Sequence, residues 1–337
     1  MTVLAQAIDV TRRYGEVCAL DRVSLDIQAG ELVGLLGPNG AGKSTLINLF
    51  TGLRRPTSGT VTLFGGSPGD PLVRRGIGVT PQETGLPESL RVGEIVSFVA
   101  AHFPDSVGTT ELLGRFGLDG LAKRQVGGLS GGQRRRLGVA LAFVGRPRLV
   151  FLDEPTTGLD VEGRRALWAG IRAFHEDGGT VLLTSHYLEE IEALAERVVV
   201  VGEGRVLADD TMRAVRGMVG TWRVSLTAGH LPALPGVLAA EILPGVPAAD
   251  RLSGSSGAPS LPGSLPGSLP GSPAADGLAG VLASGRVDGR FELVVSDADR
   301  LVVELVRSGV AFSGLEIRPA TLEEAFLALT SKETADV

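Results

Sequence analysis

Cysteine is almost absent from this 337-residue chain: Cys18 is the sole one. No intrachain disulfide and no cysteine-based metal cluster can form, which suits a reducing cytoplasm. Lysine is scarce as well. Lys43, Lys123 and Lys332 are the only lysines among 32 basic residues, so arginine is the default cation. Basic excess is lacking too. A formal net charge of −6 argues against nucleic-acid binding, and the lone basic triplet, Arg134-Arg135-Arg136, reads as the solvated face of a helix. Long apolar runs are missing: the longest candidate, residues 137–152, is interrupted by Arg146, Pro147 and Arg148. It falls short of the roughly 18 apolar residues a spanning helix needs, so the chain is not expected to cross a membrane by itself. The first residues show no basic, apolar and small-residue succession of a signal peptide.

What the chain does have is apolar content of 43%, enough for a sizeable core, and a length that suggests two domains. It also holds one complete motif, Gly37-Pro38-Asn39-Gly40-Ala41-Gly42-Lys43-Ser44-Thr45. This fits G-x-x-x-x-G-K-[ST]. The apolar run Leu32-Val33-Gly34-Leu35-Leu36 before it reads as a strand, and Leu46-Ile47-Asn48-Leu49-Phe50 after it continues a helix. Strand, loop and helix start give the motif its context. Glycines let backbone N–H groups converge on phosphate oxygens, and the helix N-terminus adds its positive end. Lys43 is expected to reach the β- and γ-phosphates, and the Ser44 hydroxyl to ligate Mg²⁺. In a chain that prefers arginine, a lysine where a compact charge must meet phosphate points to nucleoside triphosphate binding.

Around the motif, apolar strands at 149–152, 181–183 and 198–201 are separated by helical stretches at 161–175 and 188–195. Continuous apolar runs of this length read as buried parallel strands, so the fold class is α/β. A helical region occupies about 86–141. Composition changes later in the chain. Residues 260–272 contain Leu-Pro-Gly-Ser three times, and roughly 248–277 reads as a flexible insert. On either side, strand-like segments at 222–226, 236–243, 290–295 and 311–317, with a helix at 297–309, read as a small α+β domain, ferredoxin-like, over 221–337. Thr321-Leu322-Glu323-Glu324 opens its last helix as a capping box.

Two further segments carry chemistry. Leu149-Val150-Phe151-Leu152-Asp153-Glu154 is an apolar strand ending in two carboxylates. In a phosphate-loop enzyme the first, Asp153, holds Mg²⁺ and the second, Glu154, polarises the attacking water. Leu129-Ser130-Gly131-Gly132-Gln133 opens a helix with Ser130 as its N-cap. Its free N–H groups offer a second phosphate-binding surface.

That segment, followed by Leu152-Asp153-Glu154-Pro155-Thr156-Thr157-Gly158-Leu159-Asp160, resembles the ATP-binding subunit of ABC transporters. Residues 1 to about 220 carry the family's motif series in order. The resemblance implies a RecA-like phosphate-loop NTPase core with a mainly parallel sheet, an antiparallel β subdomain and an inserted helical subdomain. It implies two copies facing head to tail, each γ-phosphate held between Lys43 of one chain and Ser130, Gly131, Gly132 and Gln133 of the other. Tyr14 resembles the aromatic that stacks on adenine. Gln82, in Thr80-Pro81-Gln82-Glu83, resembles the glutamine that joins Mg²⁺ and the catalytic water to the membrane-subunit contact. Asp160 resembles the loop residue that touches the opposite subunit, and His186 the switch histidine at the γ-phosphate. The ending Leu315-Glu316-Ile317-Arg318-Pro319-Ala320-Thr321-Leu322-Glu323-Glu324-Ala325-Phe326-Leu327-Ala328-Leu329-Thr330 resembles that of the daunorubicin/doxorubicin-resistance, ABC-2 type exporter ATPases, as do residues 153–160 with the following 161–168. This implies ATP-driven export of a drug or other hydrophobic molecule through a separate permease, with the chain peripheral on the cytoplasmic face of the membrane. A ribosome- or DNA-directed ABC ATPase and a nutrient-importer subunit are the rival readings.

Overall fold

The computed structural model describes residues 2–80, 85–185, 187–218, 220–231, 234, 237–243 and 289–333. It divides into two units. One takes in the chain up to Val215 and again from Leu322; the other is Arg216–Thr321.

A six-stranded sheet centres the first unit, in the order β5-β6-β7-β3-β8-β9. These strands are β3 (Leu32–Leu36), β5 (Ile77–Val79), β6 (Leu149–Asp153), β7 (Thr180–Thr184), β8 (Arg197–Gly202) and β9 (Arg205–Thr211). Pairing is parallel from β5 through β8, and β9 runs antiparallel at the edge. β3, β6 and β7 are buried at every position, as a parallel sheet covered on both faces requires. β1 (Val3–Tyr14), β2 (Val17–Gln28) and β4 (Ser58–Leu63) form a separate antiparallel sheet in the order β2-β1-β4. Its inward residues Leu4, Val10, Leu20, Ile27 and Leu63 share one core with Leu35, Leu46, Phe50 and Phe151. Each such side chain removed from water contributes about 1.5–3 kcal/mol, which locks helix α1 (Lys43–Phe50) beneath the phosphate loop.

Between β5 and β6 lie α3 (Val92–Ala100), α4 (Thr109–Arg115) and α5 (Gly131–Leu141), after a short α2 (Pro71–Arg74) that precedes β5. The buried residues Val96, Leu112 and Leu137 of these helices, with Phe116 and Phe143 just after α4 and α5, give this helical region its interior. After β6 the chain forms α6 (Val161–Glu176), and after β7 it forms α7 (Leu188–Leu194). None of the described helices is long and apolar enough to cross a membrane. The α/β class, the parallel core and the antiparallel sheet expected from the sequence are all present.

Past α8 (Met212–Gly217), the second unit is a four-stranded antiparallel sheet. Its strands are β10 (Trp222–Ala228), β11 (Val237–Leu243), β12 (Gly289–Val295) and β13 (Phe312–Pro319), ordered β11-β12-β10-β13. Counted from β13 this is fourth, first, third, second, the order of a ferredoxin-like sheet. Strand alternation sends Val224, Leu226, Leu293 and Val295 to one face, where they pack on Leu301 and Leu305 of α9 (Ala298–Arg307). The other face carries Glu292 between Arg223 at 3.2 Å and Arg318 at 2.7 Å. The insert at about 248–277 lies outside the described residues.

The last helix, α10 (Leu322–Glu333), departs from the sequence expectation, which grouped it with the C-terminal domain. It packs within the first unit on α7, β8 and β9. The reason is its apolar face: Leu322 and Ala325 are fully buried there, and the Leu322 N–H donates to Glu192 Oε1 at 3.3 Å.

Candidate functional site

The site gathers at the carboxyl ends of β3, β5, β6 and β7, where parallel sheets bind ligands. The phosphate loop leaves β3 and enters α1 through Gly42, whose φ of +103° belongs to glycine. A side chain at Gly42 would also meet the Ala19 carbonyl at 2.5 Å, and one at Gly37 would run into the Val201 carbonyl. Pro38, Asn39 and Gly40 are exposed, while Ala41, Gly42 and Lys43 are buried. Lys43 Nζ donates to the carbonyls of Gly37 at 2.6 Å and Pro38 at 2.9 Å. Burial pushes its pKa down from the ordinary lysine value, against the opposing negative charges of Glu154 and Asp153.

Ser44 Oγ donates to Asp153 Oδ2 at 3.0 Å, which brings together two motifs 109 residues apart. Thr184 Oγ1, at the end of β7, donates to Asp153 Oδ1 at 2.6 Å. Thr184 Oγ1 also accepts the Glu154 N–H at 3.0 Å, while Thr80 Oγ1, just past β5, accepts the Asp153 N–H at 3.0 Å. The residue types suit Mg²⁺, a hard cation that takes oxygen ligands: a hydroxyl and a buried carboxylate converge here. Glu154 follows directly, with a φ of +49° that non-glycine residues rarely adopt.

The other sequence-derived positions have defined places. Tyr14 ends β1, is 40% exposed, and has the Arg12 guanidinium 4.5 Å from its ring centre. Ser130 caps α5: its Oγ accepts the Gln133 N–H at 3.2 Å, and Gln133 Oε1 accepts the Ser130 N–H at 3.0 Å. Ser130 and Gly131 are exposed and Gly132 is partly so. Asp160 caps α6 by accepting the Gly163 N–H at 2.7 Å. Thr45 lies in the first turn of α1. Gln82 and His186 lie outside the described residues.

Sequence reasoning missed Thr80, Thr184, Arg135 and Glu190. The two threonines end apolar strands, and that polar full stop was the available signal. Arg135 belongs to the triplet expected to be solvated, an expectation the structure corrects. Its Nη2 donates to the carbonyls of Asp153 at 3.2 Å and Glu154 at 2.7 Å, and its Nε to that of Pro155 at 3.2 Å. Arg136 Nη1 likewise turns inward, onto the carbonyls of Phe116 and Gly117. The helix face that carries these arginines packs on the loop after β6 and on the end of α4, so their charges are spent on carbonyls. Glu190 of α7 is fully buried, accepting from Thr156 Oγ1 at 2.8 Å and Trp168 Nε1 at 3.1 Å.

Comparison with known proteins agrees with this geometry. The ABC transporter family model matches residues 20–157. The chain is 35% identical over 249 residues to the doxorubicin resistance ATP-binding protein DrrA of Mycobacterium tuberculosis, covering 71% of this chain and 75% of that protein. It is 39% identical over 221 residues to the Nod factor export ATP-binding protein I of Mesorhizobium japonicum, with 64% and 65% covered. Among solved structures, it resembles the dimeric post-hydrolysis state of the ATP-binding cassette MJ0796 bound to ADP and Pi. The TM-score is 0.56 at 28% identity, over 62% of this chain and 98% of that one. Phosphate loop, paired carboxylates and an aligned length of this extent lead to one conclusion: the chain belongs to the ABC transporter ATP-binding family and is an ATPase.

Proposed function

We propose that this chain hydrolyses ATP between two copies of itself and thereby drives export of a drug or other hydrophobic molecule through a separate ABC-2 type permease. The observation that carries the reading is the 3.0 Å bond between Ser44 and Asp153, which sets a phosphate loop against a strand-end carboxylate pair. ATP would draw Lys43 Nζ from the Gly37 and Pro38 carbonyls onto its β- and γ-phosphate oxygens, and the loop N–H groups would cradle the same phosphates. Ser44 and Asp153 would hold Mg²⁺, with Gln82 as a further ligand; the ion supplies neutralisation of charge on the β- and γ-oxygens. Tyr14 would stack on adenine. Glu154 would take the proton of a water attacking the γ-phosphorus, with His186 at the γ-phosphate, as the P–O bond to ADP breaks.

The exposed start of α5 at Ser130 is suited to meet the γ-phosphate of a second copy, with Asp160 at the same interface. The dimeric cassette among the structural relatives and the export and resistance names of the sequence relatives support this reading. Transport then follows from assembly by ATP and release on hydrolysis, with the chain peripheral at the cytoplasmic face.

Lys43→Ala tests the site. ATP turnover should fall by roughly 100-fold or more, the scale of losing one charge-stabilising donor. Lys123→Ala, at an exposed loop position, serves as the control. Unchanged turnover in Lys43→Ala would sink the phosphate-loop assignment.

A further inference from the structure

The backbone of residues 153–155 turns sharply at the end of β6, and the polar groups named above account for how it is held. The N–H groups of Asp153 and Glu154 go to the Thr80 and Thr184 hydroxyls. The left-handed φ of Glu154 costs on the order of 1–3 kcal/mol and persists only where its surroundings hold it. Three consecutive carbonyls, those of Asp153, Glu154 and Pro155, meet one guanidinium, that of Arg135. A guanidinium meets such a set with a rigid planar fork of donors that fixes one geometry, whereas an ammonium is a compact donor on a flexible stem. Arg135 lies in the second turn of α5, two residues after Gln133, and the Ser130–Gln133 capping box fixes the start of that helix. The end of α5 assigned above to the partner's γ-phosphate and the backbone that aims Glu154 are thus tied through one side chain.

We propose that Arg135 is a positioning residue for Glu154 of its own chain, so that α5 acts as a strut between the two composite ATP sites. Seating of the Ser130 end of α5 in the partner's site bears, through Arg135, on the carboxylate that serves the home site. The inference rests on the proposed head-to-tail dimer. It adds to that reading a path within one chain from one site to the other.

Mixed dimers separate the alternatives. The reference pairs Glu154→Gln with the unaltered chain, leaving one working carboxylate. In the first test dimer, the Glu154→Gln chain also carries Arg135→Ala. Here the clamp is lost where the carboxylate is already disabled, and turnover should match the reference. In the second, Glu154→Gln pairs with a chain carrying Arg135→Ala alone. The only working carboxylate has now lost its clamp, and turnover should drop about 10- to 100-fold with KM for ATP within about twofold of the reference. Arg135→Gln, whose amide can still donate to two carbonyls, should recover part of that loss, and Arg135→Lys less.

Equal loss in both mixed dimers, or loss confined to the first, would overturn the proposal, because Arg135 would then support folding or the trans contact instead. Turnover in the second dimer equal to the reference would overturn it as well. Failure of the underlying reading shows separately: Glu154→Gln homodimers would not assemble with ATP on size exclusion, whatever Arg135 does.

Discussion

At the scale of single residues, the least expected group is Glu190, a carboxyl with no exposure on a helix that the motif series does not include. Burial raises its pKa above the ordinary 4.5, against bonds from Ser185, Thr156 and Trp168 that favour the charged form. The folded chain therefore keeps this proton to higher pH than the unfolded chain does. Above 4.5 and up to the raised value, the native state binds more protons, so stability falls as pH rises through that window and levels off beyond it. Glu190→Gln removes the titration. Its melting temperature relative to the unaltered chain should therefore rise between pH 4.5 and neutrality, as read by thermal denaturation at several pH values. A difference that stays constant with pH would show that Glu190 titrates alike in both states. The same residue illustrates what a sequence conceals. Lys43, Ser44, Asp153 and Glu154 were legible because each sits inside a short contiguous motif whose spacing carries the chemistry. Glu190 and Arg135 acquire their roles from segments that the fold brings alongside, with no local pattern to announce them, and for Thr80 and Thr184 the one local sign is a polar residue closing an apolar strand.

At the scale of elements, periodicity located most of the longer strands and helices to within a few residues, since alternation and the 3.6-residue repeat are local properties, but the short β5 and the edge strand β9 gave no such signal. Partnership was another matter. The apolar stripe of α10 says that the helix must be buried, but not against which body. Nothing before folding shows that Leu322 and Ala325 meet α7, β8 and β9 instead of the sheet that immediately precedes them. Arg135 and Arg136 were misread for the same reason: charges on a helix surface are solvated unless carbonyls from another segment lie opposite. The packing of α10 carries its own prediction. Leu322→Ala removes a fully buried side chain and should cost about 2–5 kcal/mol. In calorimetry, the transition that shifts upward with ATP should be the one this substitution lowers, because α10 belongs to the core of the nucleotide-binding unit. A lowered transition that ATP leaves untouched would instead assign α10 to the stability of the second unit.

At the scale of the whole molecule, the proposed composite site would need a partner that one chain does not supply, and hydrolysis would let that partner go. Removing the base while keeping the phosphate grip should therefore uncouple assembly from release. Glu154→Gln retains Lys43, Ser44 and Asp153, so it should bind ATP and remain dimeric, whereas the unaltered chain cycles back to monomer as ATP is consumed. Size exclusion with ATP and Mg²⁺ reads this directly, and a Glu154→Gln chain that stays monomeric would count against the two-copy site. On the proposed reading, the trapped dimer would also be the species with which a permease is most durably engaged. Tagged Glu154→Gln protein drawn from detergent-solubilised membranes should accordingly bring a polytopic membrane protein with it, and do so more fully with ATP than without. Lys43→Ala, unable to close, should recover less of the same partner. Equal recovery by the two variants would mean that docking is indifferent to nucleotide, and the coupling would then have to lie in a step after assembly. Recovery of ribosomes or DNA-bound factors in place of a membrane protein would leave the ATPase standing and overturn the exporter reading.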